Sequence, residues 1–243
     1  DGSFPGHIGP PQDPQREGPD PESFYHADWG TAVLALHALH PDLEFLRVIY
    51  PALVRYAKYF KRERDLEQCF LYDVLNHFET GQEFSSRYSA VSDRADRENW
   101  GKIFRLKGVD ATVYMHNIWQ ALAQIAFFLE KHEETRMWKE YARRTKQAIL
   151  QFMWDPDVEM FFDVDPKTMQ RTHVKSLTCF YPYMRTIAGR EHLPGLIRHL
   201  FNPLEFRTPY PFPTLSMDDP SFSEEGVWRE KKEVCPWNGR IWP

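Results

Sequence analysis

The chain has 243 residues and a formal net charge of −5, from 30 Lys+Arg against 35 Asp+Glu; 42% of its residues are hydrophobic and 27% are charged. This apolar content excludes a disordered chain, which buries too little surface to offset its ordering entropy. The mildly acidic balance argues against non-specific nucleic-acid binding, and no apolar run approaches the roughly 20 residues of a membrane span.

Residues 1–23 carry six prolines and four glycines, so neither a helix nor a central strand is expected there. The chain opens Asp1-Gly2-Ser3 without a methionine, and its true N-terminus is expected upstream. Helical periodicity then predicts a first helix over Trp29–His40, stopped by Pro41. A second begins after Asp42, a good N-cap, and runs to Arg64. Its apolar positions Leu46, Ile49, Leu53, Ala57 and Phe60 recur three and four apart, with Pro51 expected to kink or restart it.

Residues 65–107 show no long amphipathic run. A third helix is expected over Ala111–Lys131 and a fourth over Glu133–Met153. Residues 154–172 read as a turn and short β-hairpin. A fifth helix is expected over Val174–Ile187 and a sixth over Glu191–Phe201, after which the chain is loop-like. The expected fold is therefore all-α: three helical hairpins joined by long loops, in a single domain over residues 1–243. Loops this long in a compact domain are usually functional or disordered; their aromatic content favours function and suggests a ring-lined cleft.

Cys69, Cys179 and Cys235 form no zinc set and are expected as free thiols. Their odd number leans toward a reducing, cytoplasmic setting. No metal site is expected: Asp155, Asp157, Asp163 and Asp165 lack calcium-loop order.

The most informative stretch is Asn76 to Tyr88, in the first long loop. Glu79 and Glu83 stand four apart beside Gly81, Ser85, Ser86 and Arg87, with aromatic residues on both sides. An exposed turn followed by a capped helix accounts for this pattern. So does a sugar site, in which a carboxylic acid held against rings keeps its proton and acts as general acid.

This stretch resembles the signature of the six-hairpin glycosidases, particularly trehalases of glycoside hydrolase family 37. Their Glu-Ser-Gly-Trp-Asp-Phe-Ser-Ser-Arg-Trp shares Glu79, Gly81, Phe84, Ser85, Ser86 and Arg87. Thr80, Gln82, Glu83 and Tyr88 depart from it, Glu83 standing where those enzymes carry Asp. Val109-Asp110, Trp154-Asp155 with Phe161 to Asp165, and the run from Phe206 through Trp237-Asn238-Gly239-Arg240-Ile241-Trp242-Pro243 are similar to further motifs of this group and of family 63. The motifs follow in the family's order, and a mannosylglycerate-hydrolase-like member is the nearest resemblance.

The resemblance implies part of an (α/α)6 toroid and inverting hydrolysis of an α-linked small sugar or glycoside, with a carbohydrate substrate and no cofactor. It implies Glu83 as general acid, with the general base expected beyond Pro243. It further implies sugar contacts from Glu79, Arg87, Asp110, Asp28, Trp29, Trp237, Gly239 and Trp242. The alternative is a carbohydrate-binding relic of the same fold without catalysis, which the Asp-to-Glu change at position 83 would fit. An epimerase would need paired histidines, and a repeat scaffold would need a fixed period; neither is visible.

Overall fold

The computed structural model describes residues 2, 8–9, 18–19, 26–77, 79–92, 95, 104–184, 187–224, 227–228, 231–232 and 237–239. The chain divides into two compact units, Asp1–Asp73 with Ala111–Ala148, and Val74–Asp110 with Ile149–Pro243.

Helices α1 (Trp29–Leu39) and α2 (Leu43–Arg64) open the first unit. The Asp28 carboxylate accepts from Thr31 N–H at 3.1 Å and starts α1. Asp42 accepts from Glu44 and Phe45 N–H and starts α2. Each cap satisfies N–H groups that have no partner within the helix. Helix α2 runs through Pro51 as one element, so the expected restart does not occur. Proline removes one amide donor there, and packing of the α2 face outweighs that loss. That face is Leu46, Tyr50, Leu53, Tyr56, Ala57 and Phe60, all buried.

A four-residue helix, α3 (Ser86–Ser89), lies inside the first long loop. It is followed by α4 (Val109–Phe128) and α5 (His132–Ala148), which ends in a π-turn over Ile149–Met153. Trp119 of α4 stacks on Trp138 of α5 with ring centroids 5.4 Å apart. Both buried indole N–H groups find hydroxyls, Tyr72 at 3.1 Å and Tyr50 at 2.8 Å. A Cβ on Gly30 would lie 2.8 Å from the Ala121 Cβ, so glycine lets α1 approach α4 closely.

In the second unit Trp154–Asp155 pairs antiparallel with Met160–Phe161, giving the expected hairpin. The segment expected as a fifth helix over Val174–Ile187 is instead a 3-10 turn over Leu177–Met184. Two causes shorten it. Ser176 bridges to Leu215 in extended conformation, with Leu177 N–H donating to Thr214 C=O at 2.9 Å. Pro182 also lacks the donor that an α-helix would need. Helix α6 (Leu193–Leu200) completes the described helices. Met160, Phe162, Cys179, Phe180 and Phe206 form the core beside it. Among the described residues no helix is long and apolar enough to cross a membrane.

Candidate active site

The loop carrying the two glutamates lies in the second unit and has a small core of its own. Tyr88 is fully buried and stacks on Phe104 at 4.6 Å. His77 meets both rings edge-on, and its Nδ1 accepts from Phe84 N–H at 3.1 Å. The Tyr88 hydroxyl bonds Thr80 Oγ1 at 2.8 Å. Phe84 and Gly81 have positive φ, +58° and +70°, which turn the chain sharply on both sides of Glu83. The rings expected to line a cleft are thus largely the loop's own packing. Their burial fixes a loop that has little regular structure.

Glu79 is buried to 1% exposure. Its Oε2 accepts from Leu75 N–H at 2.8 Å and its Oε1 from the Asn76 amide at 3.4 Å. Both oxygens face the loop that Glu79 belongs to. Glu83 is different. It is half-buried, and its Oε2 accepts from the Trp237 indole N–H at 2.8 Å. Among the described residues its Oε1 makes no hydrogen bond.

Arg87, expected to reach sugar hydroxyls, is fully buried. Nη1 and Nη2 donate to the Asp110 carboxylate at 2.7 and 2.9 Å. Nε and Nη2 donate to Asp163 at 2.9 and 2.8 Å. The remaining donor of Nη1 meets Gln82 Oε1 at 3.1 Å. These contacts take up all five N–H groups of a guanidinium, which leaves none for a ligand. Asp110, also expected at the sugar, stands in the first turn of α4 with a fork of Arg87 on its two oxygens.

Asp163, which sequence reasoning did not place in the site, also accepts from Val109 N–H at 2.8 Å. It thereby covers the start of α4. Burial raises the Asp163 pKa despite the opposing pull of Arg87. Burial disfavours the Arg87 charge, but Asp110 and Asp163 outweigh it and hold the guanidinium pKa well above its ordinary value. A signal for Asp163 existed in the Phe161–Asp165 motif, but nothing in it named Arg87 as the partner.

Residues 237–239 close onto this loop from far along the chain. Trp237 N–H donates to Glu83 C=O at 3.2 Å. The Asn238 side chain accepts from Ser86 N–H and donates to Phe84 C=O, both at 2.8 Å. Gly239 has φ +145°, and a Cβ there would come within 2.6 Å of Ser223 C=O, so its role is in the backbone. The structure thus brings Glu83, Trp237 and Gly239 together. Asp28 and Trp29 belong to the first unit, where the second Asp28 oxygen accepts from the Asn117 amide at 2.7 Å. Trp242, Arg240 and Cys235 lie outside the described residues. Among the described residues no three His, Cys, Asp or Glu side chains are placed to hold a metal.

The motifs that form this site belong to a recognised sequence family. A sequence model of the mannosylglycerate hydrolase MGH1-like glycoside hydrolase domain matches residues 10–243. The chain belongs to that family. An uncharacterized protein of Borreliella burgdorferi is 27% identical over 115 residues, 47% of this chain and 24% of that one. The cytosolic neutral trehalase of Saccharomyces cerevisiae is 32% identical over 69 residues, 28% of this chain and 9% of the trehalase. The GH63 mannosylglycerate hydrolase of Thermus thermophilus, solved with glucose, superposes with TM-score 0.76 at 18% identity, covering 93% of this chain and 61% of the hydrolase. The chain therefore spans less than two thirds of each of these proteins. The structural likeness shows the fold: the all-α class of the (α/α)6 glycosidases, of which the matched residues form a part.

Proposed function

We propose that this chain forms part of the catalytic domain of an inverting glycoside hydrolase. Its substrate is an α-linked small sugar or glycoside, of mannosylglycerate, glucosylglycerate or trehalose type. Residues 1–243 are read as a single portion of that domain. The observation that carries the reading is Glu83, a carboxyl at the family's acid position, half-buried, with one oxygen held and the other without a bond among the described residues.

In this reading Glu83 gives its proton to the glycosidic oxygen as the bond to the anomeric carbon breaks. The bonding pair leaves with that oxygen. A second carboxylate, expected by resemblance after Pro243, takes a proton from the attacking water on the opposite face. Inverting pairs stand roughly 6.5–9.5 Å apart, which leaves room for the water. Asp110 and Arg87 act on this chemistry through the loop they hold, and the ring of Trp237 is the proposed sugar-facing surface.

The test is a panel of α-glycosides offered to the full-length protein, with the product anomer read by NMR. Wild type releases the inverted anomer, and Glu83→Gln loses roughly 10²–10⁴-fold, the usual share of general acid catalysis. Equal inertness of both forms, with sugar binding intact, establishes the non-catalytic relic that a Glu in place of the family's Asp also fits. Full activity of Glu83→Gln removes Glu83 from the acid role.

A further inference from the structure

We propose that Trp237 is the positioning residue that decides which oxygen of Glu83 delivers the proton; this rests on the reading of Glu83 as general acid. An indole N–H donates and never accepts. Its partner, Oε2 at 2.8 Å, must therefore offer a lone pair in both protonation states of the carboxyl. In the neutral acid the carbonyl-type oxygen is the better acceptor, so the proton sits on Oε1. That is the oxygen with no hydrogen bond among the described residues.

The backbone that carries the indole is itself held. Its backbone N–H donates to Glu83 C=O at 3.2 Å. The next residue, Asn238, is fully buried and clamps Phe84 and Ser86. Gly239 N–H donates to Thr214 Oγ1 at 3.3 Å. The backbone segments that carry the carboxyl and its donor are thus bonded to one another. Glutamate has one more rotatable bond than the aspartate of related enzymes, and the indole contact removes that freedom. In the reaction the Oε1–H bond breaks, the proton passes to the leaving oxygen, and Oε2 keeps its indole bond to the carboxylate formed.

Two readouts test this in the full-length protein. In protein labelled with ¹⁵N-tryptophan, the Trp237 indole resonance, assigned by its absence in Trp237→Phe, should move with pH. That movement should vanish in Glu83→Gln. A resonance indifferent to pH overturns the contact without any assay of activity.

The second readout is leaving-group dependence. Replacing Trp237 by β-(3-benzothienyl)alanine keeps the ring and removes only the N–H. Turnover of an unactivated glycoside should fall about tenfold or more, within the range of general acid catalysis. Turnover of the matching glycosyl fluoride, whose leaving group needs little protonation, should change less than about twofold. Equal loss on both substrates makes Trp237 a structural or stacking residue and overturns the proposal, while the acid role of Glu83 stands. Wild-type activity in Glu83→Gln instead overturns the acid assignment and this proposal with it.

Discussion

Glu79 and Glu83 are the same residue type, four positions apart in one loop, yet the fold treats them in opposite ways. Glu79 is buried at 1% exposure, with its oxygens facing Leu75 N–H and the Asn76 amide. Glu83 keeps one oxygen on an indole and remains half-buried. The same division separates Asp110 and Asp163, locked around Arg87, from Glu83. A carboxylate whose lone pairs are matched by fixed donors is part of the scaffold. A carboxylate held by one donor is oriented and still available to a substrate.

The strongest way to break this contrast is to remove the cation that locks the scaffold. Arg87→Ala leaves two buried carboxylates without their partner and should cost about 3–5 kcal/mol, read by denaturant unfolding. A loss below about 1 kcal/mol would show that the cluster is solvated and that the contrast is not one of burial.

Acid should act through the first unit next. His116 is buried, and desolvation lowers its pKa to about 4. A depressed folded-state pKa gives stability that is present above the unfolded value of about 6.5 and is lost as pH falls toward 4. The loss should be on the order of 3 kcal/mol and should shrink in His116→Gln. Stability that is flat between pH 6.5 and 4 in wild type would contradict the burial of this ring.

Glu79→Ala should cost about 1–3 kcal/mol by leaving loop donors without an acceptor. Glu83→Gln should change the unfolding free energy by less than about 0.5 kcal/mol. Comparing these two variants by thermal unfolding sharpens the opening contrast, and similar losses for both would erase it.

Much of this architecture was legible in the residues alone. The apolar spacing along α2, the cap residues Asp28 and Asp42, and the stop before Pro41 placed the first hairpin, because helix formation is decided within a few neighbours. The segment from Val174 was misread because its extended start is imposed by pairing with residues 214–216. The motif singles out Glu83, and it does not show the contrast with Glu79. Whether a carboxylate is locked depends on the donors that folding aims at it: backbone and amide groups of the same loop for Glu79, and for Asp163 the Arg87 guanidinium, 76 residues away. Trp237 was expected at the sugar as a stacking surface; the contact of its N–H with Glu83 is visible only once the chain is folded.

The clasp between residues 237–239 and the Glu83 loop also bears on biosynthesis. The two sides are 154 residues apart in sequence, and at about 5–20 residues per second a ribosome needs roughly 8–30 s to make the second after the first. Through that interval the nascent loop lacks Asn238 on its Phe84 and Ser86 backbone groups. Glu83 thus gains its indole partner only after Trp237 has been translated, so a chain interrupted earlier carries Glu83 without that contact.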